Sequence, residues 1–350
     1  MAVLKIILLP LSLIYGIVVG IRNFFFNTGI LKSKSFRIPV ICVGNITVGG
    51  TGKTPHTEWL LSELSKDFRV ACLSRGYKRR TKGFILATSQ STAEETGDEP
   101  LQIKRKFPEI EVACDANRVR GIEKLLSLPL PPEVIVLDDA FQHRYVKADK
   151  NIVLVDYNHP CYKDCLLPAG RLRETPGALK RADYIIVSKC PDNLTPIEQR
   201  LCSKHLRIKP YQRLFFTTMQ YGTPRSMETG LPVPIPTGQT SILCVTGIAR
   251  PEHYIHYLKQ LTPDITALKY PDHHRFSKRD IRNIQALFEE IYNPEKYIFT
   301  TEKDAARLRG CRLPQEIREK ICFIPIEPVF INKKETFIQE LKSYVTKNKR

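Results

Sequence analysis

Short apolar runs and amphipathic stretches alternate along most of this chain. Runs at 39–44, 69–74, 111–114, 133–137, 151–155 and 184–188 are aliphatic and β-branched, and the spacers between them are long enough for helices. Val134-Ile135-Val136-Leu137 is apolar without interruption, as a strand buried on both faces must be, so the pattern predicts a parallel sheet covered by helices. A second series, with strands at 241–245, 265–269, 297–300 and 322–325 and helices near 251–261 and 277–291, predicts a second, smaller α/β domain. Between the two, residues 213–219 are β-rich, and Pro224, Pro232, Pro234 and Pro236 exclude a helix after them. The expected division is 1–36, an apolar helix with a basic flank; 37–212, the first domain; 213–240, a linker with a β-rich segment; and 241–350, the second domain.

The amino terminus has a different pattern. Residues 6–21 carry no charge and are framed by Lys5 and Arg22, with Phe24-Phe25-Phe26 and then Lys32, Lys34 and Arg37 beyond. Sixteen residues fall short of the ~20 needed to cross a bilayer, and Pro10 interrupts them. A helix lying in the membrane interface is therefore expected over a spanning one, with a buried core helix as the alternative. The Phe-rich stretch offers no small-residue cleavage site for a secretory signal.

Charge narrows the partners. A net charge of +18 favours polyanions: nucleic acid, an anionic membrane surface or a phosphorylated substrate. No zinc finger, aromatic RNA-binding signature or basic recognition helix is present, which argues against nucleic acid. Ten scattered cysteines, several inside strand-like runs, read as small buried apolar residues of a reducing compartment. Cys161 and Cys165 with His159 supply too few ligands for a metal site. The terminal Lys347-Asn348-Lys349-Arg350 reads as a solvated tail.

The chemistry centres on Thr47-Val48-Gly49-Gly50-Thr51-Gly52-Lys53-Thr54, which follows the first apolar strand. Glycines let backbone N–H groups close around an anion, the next helix adds its positive end, Lys53 a point charge, and the Thr54 hydroxyl a ligand for Mg²⁺. The implied ligand is a nucleoside triphosphate. The usual pattern starts with glycine where Thr47 stands, and Pro55 disfavours α geometry at Thr54, so the helix is expected to start irregularly. Asp138 and Asp139 end the 133–137 strand, where ligands of open parallel sheets bind; beside a glycine loop, metal binding is the better reading than capping. A regulatory GTPase or nucleotide-driven chaperone shares these features, but Ser188-Lys189-Cys190-Pro191-Asp192 does not match the Asn-Lys-x-Asp guanine reader.

The string 43–55, together with Ser74-Arg75-Gly76-Tyr77, Gly97-Asp98-Glu99-Pro100, Leu137-Asp138-Asp139-Ala140-Phe141-Gln142-His143, Pro168-Ala169-Gly170-Arg171-Leu172-Arg173-Glu174, Thr246-Gly247-Ile248-Ala249-Arg250-Pro251-Glu252, Asp272-His273-His274 and Thr301-Glu302-Lys303-Asp304, resembles the tetraacyldisaccharide 4′-kinase family, the lipid A 4′-kinases of Gram-negative bacteria. The matches run in order over nearly the whole chain. Ala140 and Arg171 depart from the family's more common glycine and proline.

The resemblance implies a P-loop NTPase-like domain and ATP-dependent transfer of a γ-phosphoryl group to the 4′-hydroxyl of a tetraacylated disaccharide 1-phosphate. The partners it implies are that anionic acylated substrate and the cytoplasmic face of the inner membrane, with no nucleic acid and no obligate protein partner. By similarity Asp98 accepts the hydroxyl proton with His273 positioning it, Thr54, Asp138 and Asp139 serve Mg²⁺, and Arg173 with Glu174 lies beside the nucleotide phosphates. Lys53 and His273 fall in different expected domains, so a site drawing on both follows from the resemblance.

Overall fold

Alternation of buried side chains along the strands builds the first unit. In the computed structural model, which describes residues 2–272 and 274–349, β1 (Val40–Asn45) sends Val40 and Cys42 into one apolar core and Ile41 and Val43 into another. The strand β5 (Val134–Asp138) does the same, with Ile135 and Leu137 on one face and Val134 and Val136 on the other. Such a strand sits in the middle of a sheet covered on both sides. The remaining strands of this sheet are β2 (Val70–Ser74), β3 (Ile85–Leu86), β4 (Glu111–Cys114), β6 (Lys150–Asp156), β7 (Tyr184–Ser188) and β8 (Arg213–Tyr221). With a later strand, β14 (Ile326–Phe330), they run in the order β14-β8-β7-β6-β1-β5-β2-β4-β3. The strand β1 pairs in parallel with β5 on one side and β6 on the other, so the chain reverses its direction of winding there. The crevice beyond the carboxyl end of β1 is where such sheets bind ligands.

Helices cover both faces. They are α1 (Ala2–Asn27), α2 (Lys53–Ser65), α3 (Ala93–Thr96), α4 (Asp98–Lys106), α5 (Arg118–Leu126) and α6 (Pro196–Leu206). Leu60, Leu61 and Leu64 of α2 are fully enclosed in the second core, where truncating one to alanine costs about 2–5 kcal/mol.

The second unit, Gln220–Glu327, holds β9 (Arg225–Ser226), β10 (Ser241–Thr246), β11 (Ile265–Lys269), β12 (Lys296–Thr301) and β13 (Ile321–Ile324) in the order β11-β10-β12-β13-β9. Its helices are α7 (Glu252–Leu261), α8 (Lys278–Glu289), α9 (Glu302–Leu308) and α10 (Gln315–Lys320). The chain leaves the first unit within β8 and returns within β14, so Pro328 onward, including α11 (Lys334–Asn348), belongs to the first unit.

Two boundaries therefore differ from the sequence expectation. Residues 213–219 are not a linker, because β8 pairs with β7. Residues 328–350 are not part of the second domain, because Phe330, Phe337, Leu341 and Val345 fill the first unit's core beside Phe215 and Tyr184. Lys349 is likewise no free tail residue: it pairs with Glu133 at 3.2 Å and lies over the Phe68 ring.

The amino-terminal helix is longer than its charge-free run. It continues through Arg22 to Asn27 because these polar residues face the body: Arg22 donates to the Gln142 carbonyl at 3.1 Å, and Arg144 donates to Asn23 and Asn27. Ser12 lies on the same face, donating to the Leu166 carbonyl at 3.0 Å and accepting from the Ala169 N–H at 2.9 Å. Leu13, Ile14, Ile17, Val18 and Ile21 remain exposed, and Lys5–Asn27 is long and apolar enough to cross a membrane by length and composition.

Candidate active site

The loop after β1 is built from an extended half and a turned half. In the first, Val48 donates to the Arg171 carbonyl at 2.7 Å, Arg173 donates to the Ile46 carbonyl at 2.8 Å, and Thr47 pairs antiparallel with Leu172. Thr47 thus sits in extended backbone, where glycine is not required, and this accounts for the departure at that position. In the second half Gly49 and Gly52 adopt φ of +101° and +80°, the region that favours glycine. A Cβ at Gly49 or Gly50 would meet nothing within 4 Å, so the loop faces open space there. Gly52 makes no side-chain cap to α2, leaving the first-turn N–H groups turned outward. The helix begins at Lys53 and takes in Thr54, with Pro55 in the first turn, where its missing donor is harmless; no break marks the expected irregular start.

Charged groups gather beside this loop. Asp139, in left-handed backbone at φ 48°, accepts two hydrogen bonds from Arg173 at 2.9 and 3.0 Å, and Lys53 stands 3.7 Å from the same carboxylate. Burial works against the Asp139 charge, yet Lys53 and Arg173 outweigh it and hold the carboxyl below its usual range. Burial draws the Lys53 ammonium below its ordinary value, with Asp139 opposing. Asp138 is enclosed and accepts from two hydroxyls, Thr57 at 3.2 Å and Ser74 at 3.4 Å. Burial, and then the charges of Asp139 and Glu99, push it up to about 6. The result is a carboxyl pair in which one charge is neutralised by side chains and the other, among the described residues, has no cation in contact.

Not every expected residue joins that cluster. Glu174 is buried but turned to Arg181, at 2.5 Å, with its other oxygen unpartnered. Asp98 opens α4 immediately after Gly97, whose φ is +93°. A Cβ on Gly97 would meet the Tyr77 carbonyl at 3.0 Å and Gly76 at 3.2 Å, so the Ser74-Arg75-Gly76-Tyr77 loop and the start of α4 are packed backbone to backbone. His273 lies outside the described residues. Its neighbour His274 stacks on Tyr270 and pairs with Asp280 at 3.0 Å, a packing role. In the same unit Asp304 accepts the Gly247 N–H at 2.8 Å and Arg307 donates to the Gly247 carbonyl at 3.0 Å, which joins two of the recognised motifs.

Residues that the motifs did not single out also shape the site. Glu99 acts on both Lys53 and Asp138, and it stands next to Asp98 in a motif already noted. Arg118 is almost wholly buried, bonded to the Asp115 and Ala116 carbonyls, and its charge helps hold Asp139 down. Nothing in its sequence neighbourhood marks it.

Comparison with known proteins now bears on this geometry. The family model of LpxK, tetraacyldisaccharide-1-P 4′-kinase, matches residues 4–346. The chain belongs to that family. Tetraacyldisaccharide 4′-kinases of Bacteroides thetaiotaomicron and Flavobacterium johnsoniae are 47% and 42% identical to it, over 98% and 99% of this chain and 94% and 99% of theirs. A crystal structure of LpxK from Aquifex aeolicus in complex with ATP superposes with a TM-score of 0.78 at 28% identity, covering 99% of this chain and all of that one. The chain is accordingly a kinase acting at the 4′ position of a tetraacyldisaccharide 1-phosphate in lipid A biosynthesis. Within this 4′-kinase framework the glycine loop and the Asp138–Asp139 pair stand at the carboxyl ends of adjacent strands of one sheet.

Proposed function

We propose that residues 47–54 hold the triphosphate of ATP, that Arg173 and Lys53 neutralise its oxygens, and that Asp98 accepts the proton of the 4′-hydroxyl. The observation that carries this reading is the loop itself, with its two left-handed glycines, open face and uncapped helix start directly beside Lys53 and Arg173. Phosphoryl transfer asks little covalent chemistry of a protein; alignment and charge neutralisation supply most of the rate. Asp98 stands in the first turn of α4, where the helix dipole favours the carboxylate form that a proton acceptor needs. The role of His273 as its partner rests on the family resemblance.

The residues present suit Mg²⁺. Asp138, Asp139 and Thr54 offer hard oxygen donors, and an enclosed carboxyl pushed up to about 6 is one whose charge a divalent ion would stabilise. Among the described residues no three His, Cys, Asp or Glu side chains form a cluster that could hold a metal ion. When bound, the metal supplies positive charge to the phosphate oxygens. Glu174, next to Arg173 in sequence, pairs with Arg181, and its place beside the nucleotide phosphates rests on the family resemblance.

The apolar face of α1 supports work at the inner membrane's cytoplasmic surface. One side of that helix is fastened to the protein through Ser12, Tyr15, Arg22 and Asn23, so lipid can reach the other side only, and a helix in the interface fits this better than one surrounded by lipid. An Asp98→Ala variant tests the assignment of the base. Transfer to the acylated disaccharide should fall by about a hundred-fold while the dissociation constant for MgADP stays within about two-fold. Full activity in Asp98→Ala would remove that residue from the mechanism.

A further inference from the structure

A loop that turns its N–H groups toward an anion turns its carbonyls away from it, and each of those carbonyls then needs a donor from elsewhere. Here three consecutive ones meet side-chain donors, and the Gly52 carbonyl also accepts a backbone bond, from the His56 N–H at 3.2 Å. The Gly50 carbonyl accepts from Lys189 Nζ, the Thr51 carbonyl from Ser188 Oγ at 2.8 Å, and the Gly52 carbonyl lies 2.7 Å from His56 Nδ1. Asn45 Nδ2 adds a bond to the Thr51 hydroxyl at 2.9 Å.

The donors are themselves held. Lys189 Nζ is 3.0 Å from Asp156 Oδ2 at the end of β6, and the Lys189 backbone adopts φ 59°, a left-handed conformation that lysine keeps only where its surroundings enforce it. The His56 ring is buried between the Gly52 carbonyl and the Thr217 hydroxyl. With Nδ1 facing a carbonyl, the proton resides there, and Nε2 accepts from the Thr217 hydroxyl at 3.0 Å. The loop after β1 is thus fastened from the end of β7, across the intervening β6, and from within α2, with Thr217 of β8 behind His56. Ser188-Lys189 occupies the strand end at which a GTPase would carry its guanine reader. The structure gives that pair other work.

We propose that Ser188, Lys189 and His56 are positioning residues that hold the backbone of residues 50–52 in its anion-receiving form before nucleotide arrives. This rests on reading the loop as the ATP phosphate site, and the test separates the two. MgADP binding is measured by calorimetry on the full-length detergent-solubilised protein, with steady-state kinetics on the lipid acceptor and melting curves in parallel.

If removing a fastening lets the competent loop fall to about a tenth of the population, Kd for MgADP and KM for ATP rise about ten-fold. That rise is expected in both Lys189→Met and Ser188→Ala, with kcat at saturating ATP within about two-fold of wild type. Lys189→Arg, which keeps a charged donor, should restore most of the affinity. His56→Asn, which keeps a donor near the Nδ1 position, should bind more tightly than His56→Gln.

Unchanged nucleotide affinity in Lys189→Met and Ser188→Ala, whatever their melting points, would overturn the proposal. So would a loss in Lys189→Met with none in Ser188→Ala, because that marks a charge acting on phosphate and no fastening of the loop. Failure of the wild-type protein to bind MgADP would instead remove the phosphate-site reading itself.

Discussion

The Tyr15 hydroxyl donates a hydrogen bond of 2.9 Å to the backbone carbonyl of Arg173. One residue thereby links the apolar helix to the segment that pairs with the loop after β1, since the Arg173 N–H donates to the Ile46 carbonyl and its side chain grips Asp139. Tyr15→Phe keeps the ring and removes that bond, worth about 1 kcal/mol. Specific activity on lipid-containing micelles should drop about five-fold, with protein fold retained by circular dichroism. Unaltered activity would show that the helix and the site do not communicate through this contact.

The exposed side of α1 predicts a separate effect. Leu13 and Ile17 are 68% and 54% exposed, and neither is part of the contacts that fasten the helix. Burying each in lipid contributes about 1.5–3 kcal/mol, so Leu13→Glu combined with Ile17→Glu should weaken sedimentation with anionic vesicles by about a hundred-fold or more. MgADP affinity in the same variant should match wild type.

Gly97 tests the coupling between backbone and Asp98. At φ +93°, with the Tyr77 carbonyl 3.0 Å from a built Cβ, an alanine is both strained and crowded. Gly97→Ala should destabilise the protein by about 1–3 kcal/mol and shift Asp98, so that kcat falls while nucleotide affinity does not. Thermal unfolding and kinetics together would check this.

His143 makes stability depend on pH. Burial, followed by the charges of Arg118, Arg22 and Arg75 with Asp115 opposing, pushes it down to about 4 from the ordinary histidine value. The folded state therefore binds this proton less readily than the unfolded state. Its contribution to stability is complete above the unfolded pKa, near 6.5, and is lost as pH falls from there through about 4. Denaturant unfolding should show wild type losing about 1–3 kcal/mol more than His143→Gln between pH 7.5 and 4.5, a range discounted for partial exposure. Parallel profiles would contradict the assignment.

Much of this architecture could be read from residue pattern alone. The uninterrupted apolar run of β5, the glycines at 49, 50 and 52 and the two aspartates at the strand end are local signals, each tied to one backbone requirement. What escaped notice depends on distant partners. Ser188 and Lys189 are ordinary polar residues until β7 is placed two strands from β1. The return of residues 328–350 to the first unit is a pairing of β14 with β8 across more than a hundred residues of chain, which no local periodicity encodes. Helix α1 outran its charge-free stretch because Arg22 and Asn23 find partners on the body, and charge marks a helix end only when it must face lipid.

Transfer of the terminal phosphate is the most direct test of the whole account. Protein in mixed micelles with the tetraacyldisaccharide 1-phosphate and ATP labelled at the γ position should yield lipid labelled on the 4′ oxygen, in step with ADP formed and only when acceptor is present. Lys53→Ala should lower that rate by at least about a hundred-fold. Unlabelled lipid with the wild-type protein, or full transfer by Lys53→Ala, would contradict it.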